Sequence, residues 1–133
     1  MEQKRVTVLH NRDARRDSLY LPADHLAEVY SRLLSSDWSL WTPDLLAESL
    51  FWVFRAQEPR ELLTLSAKEQ ALNSAYRNRR LRPFVRGDVL VIGNQAFACE
   101  PWGRALPVDR NALKIVTRLA DTRRERRTAA RAR

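Results

Sequence analysis

Cysteine, glycine and histidine are scarce in this chain, and each scarcity excludes something. A single cysteine, Cys99, leaves no internal disulfide to form. Three glycines, at positions 87, 93 and 103, lie too far apart to build a Gly-rich phosphate loop. The two histidines, His10 and His25, have no Cys or His partner at metal-ligand spacing, so a zinc site is not expected. No other cofactor is expected either. Long apolar runs are missing too. The densest stretch, Leu45 to Phe54, is interrupted by Glu48 and is far short of the ~20 residues of a membrane span. The apolar start at Val6–Leu9 is too short for a signal-peptide core, so a reducing cytoplasm is the expected compartment. The carboxylate pairs Asp13/Asp17 and Asp44/Glu48 lack a catalytic companion and read as ordinary loop and helix polarity. Without a catalytic signature, the chain reads as a non-enzyme.

What it has is arginine. Only three of the 24 basic residues are lysines, and the formal net charge is +8. The charge is unevenly placed. Arg77, Arg79, Arg80, Arg82 and Arg86 fall in one stretch without an acid. Arg118, Arg123, Arg124, Arg126, Arg127, Arg131 and Arg133 dominate the C-terminus against only Asp121 and Glu125. The remainder is mildly acidic. At 133 residues, 44% hydrophobic and 30% charged, the chain has the composition of one globular domain. We read residues 1–121 as that domain, and 122–133 as a basic tail that is either a helical extension or disordered.

Periodicity suggests an α+β fold: a bundle of three to four helices with a small antiparallel hairpin or sheet. Leu26, Val29, Tyr30, Leu33 and Leu34 recur at helical spacing after Pro22, which predicts a first helix. Thr42-Pro43-Asp44 opens a second, where threonine can cap, proline fits the first turn and aspartate faces the positive dipole end. Its apolar residues wrap most of the circumference to about Gln57, marking the central buried helix, and Pro59 stops it. Ser66 and Glu69 match a capping box for a third helix reaching about Arg80. Val89–Ile92 and Gln95–Cys99 flank Gly93-Asn94 as a hairpin. Val6–Leu9 adds an edge strand. Asp109 is expected to cap a last helix with Leu113, Val116, Leu119 and Ala120 on one face.

Two functions fit this layout. The first is a nucleic-acid-binding accessory protein, on DNA or RNA, with backbone-dominated contacts. Guanidinium forks hold phosphates bidentately, and clustered charge supplies the salt-dependent part of affinity. The candidate contacts are Arg77, Arg79, Arg80, Arg82 and Arg86, then Arg104, Arg118, Arg123, Arg124, Arg126 and Arg127. Trp102, between proline and glycine, is a candidate to stack on a base. The competing explanations are dipole compensation at a helix end, arginine-rich codon usage, a solubilising tail, and a tryptophan that covers the end of a sheet. The second function is a protein-interaction module, phage- or mobile-element-borne, meeting a host protein or an acidic partner. It would use the Trp38–Trp41 region or the hairpin edge. An enzyme, third, would need His10 or His25 to converge with Cys99 or a carboxylate in a pocket.

The segment from Arg82 to Arg104 resembles the ending "R-S-x-S-V-G-D-V-V-x-V-x-G-x-x-Y-A-C-x-x-x-G-W" of small uncharacterised proteins from actinobacteria, their plasmids and their phages. Gly87, Asp88, Val89, Val91, Ala98, Cys99 and Gly103 match, Phe97 stands for the aromatic, and Trp102 precedes the glycine where the family's follows it. Gly-Asp-hydrophobic hairpins also recur in PUA-like and SH3-like barrels. The resemblance spans roughly a fifth of the chain. It implies an actinobacterial or mobile-element origin and supplies no biochemical activity.

Overall fold

The computed structural model describes residues 4–13, 18–38 and 41–119. They form a mixed six-stranded sheet, and the expected helical bundle with a small hairpin is overturned. The strands are β1 (Arg5–Asn11), β2 (His25–Leu33), β3 (Val89–Ile92), β4 (Gln95–Cys99), β5 (Ala105–Val108) and β6 (Lys114–Thr117). Their order is β5-β4-β3-β1-β2-β6. All neighbours are antiparallel except β2 and β6, which run parallel. Three helices join it: α1 (Pro43–Arg55), the single turn α2 (Pro59–Leu62) and α3 (Ala67–Arg77).

Three expectations change here. The segment after Pro22 is strand β2, because a bulge lets it bury side chains on both sheet faces. Val8 pairs with Tyr30 but Leu9 pairs with Glu28, so one extra residue reverses the alternation. Leu26 therefore packs on one face, with Leu9, while Tyr30 and the following Leu34 pack on the other. Val6–Leu9 belongs to β1, which lies between β3 and β2 rather than at an edge. After Asp109 a 3₁₀ turn (Arg110–Ala112) and strand β6 replace the last helix; Asp109 still caps, accepting from the Asn111 N–H at 3.0 Å. The proposed tail lies outside the described residues.

Other elements match. α1 starts at Pro43, although Thr42 makes no side-chain capping bond. Ser66 and Glu69 form the reciprocal capping box. The hairpin closes on Gly93, whose φ of 62° suits the first position of a tight two-residue turn.

The main core lies between the helices and one sheet face. Val6, Val8, Leu90, Ile92 and Phe97 meet Leu46, Leu50, Val53, Phe54 and Tyr76 there. Burying each of the larger side chains contributes roughly 1.5–3 kcal/mol. Asn73, buried, donates to the carbonyls of Val53 and Ala56 (2.7 and 2.9 Å) and so satisfies the free end of α1.

The opposite face carries a smaller core of Leu9, Leu26, Val89, Val91 and Ala96. Strands β5 and β6 occupy opposite edges, yet only residues 109–113 join them. A flat sheet would put those edges about 24 Å apart. Six Cα steps reach roughly 21 Å fully extended, and the 3₁₀ turn shortens them further. The sheet must therefore curl. Leu113 of the connector packs on the smaller core, so this face is the concave one.

Candidate nucleic-acid interface

The first arginine cluster begins where α3 ends. Arg77 closes the helix and Arg79 and Arg80 are exposed; Arg80 adopts φ 57°, turning the chain back. The returning segment is held by a buried polar frame. Asp88 has no exposed surface and accepts four hydrogen bonds. Two come from the Arg82 guanidinium (2.7 and 2.8 Å), one from the Asn11 N–H (2.7 Å) and one from the Val85 N–H (2.9 Å). Asn11 also donates to the Gly87 carbonyl and to Asp24. Arg82 is thus committed to Asp88, which holds its pKa above the usual arginine value. Its guanidinium fork is occupied inside the protein.

The same frame gives Arg86 a defined place. With the chain fixed at Arg82 and Asp88, and the Phe84 N–H donating to the Phe54 carbonyl (3.0 Å), Arg86 faces the C-terminal half of α1. It meets Arg55 across a cleft of about 180 Å³. Phe51 and Phe84 line that cleft and are stacked on each other, with centroids 5.1 Å apart. Glu48 borders it, with one carboxylate oxygen accepting the Ala105 N–H at 3.2 Å. Gly103 also lines it, and so brings the β4–β5 turn that carries Trp102 to the cleft. Trp102 is 90% exposed, which overturns the alternative that it covers the end of the sheet. Arg104 is exposed on the same turn. Arg55 was not a sequence candidate. It stands 31 positions before Arg86, and no local pattern links the two.

The remaining candidates scatter. Arg118 lies at the end of β6, 3.5 Å from Glu28 of β2. Arg123, Arg124, Arg126 and Arg127 lie outside the described residues.

The two histidines and the cysteine are engaged separately. His25 begins β2, not a helix as its spacing suggested, and its Nδ1 is 2.6 Å from the exposed Asp13 carboxylate. His10 contacts Tyr76, and burial lowers its pKa to about 4. Cys99 is buried on β4 at the floor of the Arg55–Arg86 cleft. Burial raises its thiol pKa, with Arg55 and Arg86 acting in the opposite direction. Among the described residues no three of His, Cys, Asp and Glu converge as metal ligands would. Nor is any described helix long and apolar enough to cross a membrane.

Of the two surfaces suggested for a protein partner, the Trp38–Trp41 region is divided, since Trp41 is 41% exposed while Trp38 is not. Trp38 is only 4% exposed, beneath the Lys68 ammonium at 4.5 Å. The free edge of the hairpin is paired with β5.

The described residues thus form a curled mixed sheet with three helices on its convex face and a cleft lined by Arg55, Arg86, Phe51 and Phe84. No protein-family model, curated protein or solved structure matches the chain.

Proposed function

We propose that the protein binds a strand of nucleic acid along the Arg55–Arg86 cleft and the Trp102 turn. The observation that carries this reading is that Arg55 and Arg86 line one cleft together with Gly103, the residue that follows the almost fully exposed Trp102. Two guanidiniums over an apolar floor attract phosphates in a partly desolvated setting, where charge-assisted hydrogen bonds are strong. A tryptophan with this exposure contributes nothing to the core, and its ring is free to stack on an unpaired base. Arg104 on the same turn, with Arg77, Arg79 and Arg80 at the end of α3, extends the positive field. Arg82 makes no phosphate contact in this reading, because its guanidinium is held by Asp88.

Stacking needs a base that is not already stacked in a duplex, so a single strand is the preferred form. Titration of a single-stranded oligonucleotide should quench the Trp102 contribution to tryptophan fluorescence. A duplex of the same sequence should quench it far less. Equal quenching by both, or none by either, would remove the stacking role.

A further inference from the structure

We infer that the concave face holds a second site, for a small phosphate monoester with a compact apolar body. Its walls follow from strand register. In β1, Arg5, Thr7 and Leu9 point to the concave face, opposite in parity to Val6 and Val8 of the main core. The face is apolar at one end, where Leu9, Leu26, Val89, Val91 and Ala96 fill it. Beside that core a cavity of about 400 Å³ remains, within the size range of small-molecule sites. Its floor is Leu9, Val91, Leu113 and Ile115.

The polar wall gives the ligand its charge. Arg5 from β1, Arg110 from the 3₁₀ turn and Arg118 after β6 border the cavity, together with Glu28 from β2. Among the described residues, three guanidiniums and one carboxylate line the cavity. Guanidinium forks hold phosphate oxygens bidentately, so this wall suits a phosphate monoester, which carries about −1.5 to −2 at neutral pH, better than a monocarboxylate. Two of the arginines are already oriented: Arg5 donates to Ser31 Oγ at 3.0 Å, and Arg118 lies 3.5 Å from Glu28. Thr7 and Asn111 add hydrogen-bonding groups beside the apolar floor. The elements that supply these residues come from both ends of the chain, and the curl of the sheet brings them together. The site lies on the face opposite the helices, whereas the Arg55–Arg86 cleft lies on the helix side, so the two succeed or fail independently.

Calorimetric titration of the full chain with phenyl phosphate, AMP and inorganic phosphate is the test, with benzoate and adenosine as controls. At least one monoester should bind one-to-one with Kd below about 1 mM. Benzoate and adenosine should bind at least about tenfold more weakly than the best monoester. Arg110→Gln, at an exposed turn position, should weaken monoester binding about tenfold with the unfolding midpoint unchanged. Amide shifts in an NMR titration should centre on Thr7, Asn111 and Ile115. No monoester binding at about 10 mM, benzoate or adenosine binding as tightly as the monoesters, or amide shifts centred elsewhere would overturn the assignment.

Discussion

Tyr76 Oη lies 2.7 Å from His10 Nε2 and 2.6 Å from the Arg82 carbonyl oxygen, and together these contacts fix the direction of both protons. A carbonyl only accepts, so the single Tyr76 proton goes to Arg82. His10 must then donate its Nε2–H to Tyr76. The histidine is neutral and in one tautomer. It ties β1 to α3 across 66 positions of sequence, and Tyr76 ties both to the arginine segment.

This arrangement makes stability depend on pH. Burial lowers the pKa of His10 from 6.5 to about 4; Asp88 acts to raise it and Arg82 to lower it. The unfolded chain therefore binds a proton between those values that the folded chain does not. Stability is complete above about pH 6.5 and falls as the pH drops towards 4, by up to about 3 kcal/mol. Urea unfolding across this range should show the slope, and His10→Gln, whose amide N–H can replace the donor, should flatten it. Parallel profiles for the two proteins would contradict the assignment. Asp13, Asp44, Glu61 and Glu69 have lowered pKa values, and their contribution is lost only below their ordinary range, in both proteins alike.

Arg82 and Arg86 should respond oppositely to substitution. Arg82→Ala leaves the fully buried Asp88 without its guanidinium and should cost about 3 kcal/mol of stability. Arg86→Ala should change stability by less than about 0.5 kcal/mol and act on binding instead. Denaturant midpoints for the two variants, measured side by side, check this contrast.

Tyr76→Phe removes the acceptor of the His10 proton and the donor to Arg82 while keeping the ring contacts with Tyr30 and Phe54. Two groups lose partners inside the protein, so the expected cost is about 2–4 kcal/mol, read as a lower urea midpoint. A loss under about 0.5 kcal/mol would mean that water replaces the hydroxyl.

Trp102→Ala should leave the unfolding midpoint unchanged, since the ring is 90% exposed. Affinity for a single strand should fall about 5- to 150-fold, the range of one base–aromatic stack. An unchanged affinity would confine binding to the arginines.

The sequence was legible where local rules act alone. Pro43 at a helix start, the Ser66–Glu69 box and Gly93-Asn94 between two apolar runs each specify their own element. Strand β2 was not, because the bulge near Val29 converts a two-residue alternation into the spacing of a helix face. Its Ala27, Glu28, Arg32 and Leu33 are helix formers besides. β6 could have been found: Ile115-Val116-Thr117 is a β-branched run, and Leu113 and Ile115 alternate towards the concave core. In the candidate site, charge clustering picked out Arg86 but also Arg82, because sequence spacing cannot distinguish a free guanidinium from one paired with Asp88. Arg55 and Arg5 were silent. Isolated arginines acquire a role only from what the fold sets opposite them.

Nucleic acid held at the Arg55–Arg86 cleft should show a defined salt dependence, measured by fluorescence anisotropy of a labelled single strand across a salt series, for the full chain and for Arg55→Gln/Arg86→Gln. Log affinity should fall linearly with log salt, at about −0.7 per phosphate contacted. The double variant should show a slope shallower by about 1.4, with its unfolding midpoint retained. A slope and affinity equal to those of the unaltered protein would contradict the claim, as would the absence of binding at low salt.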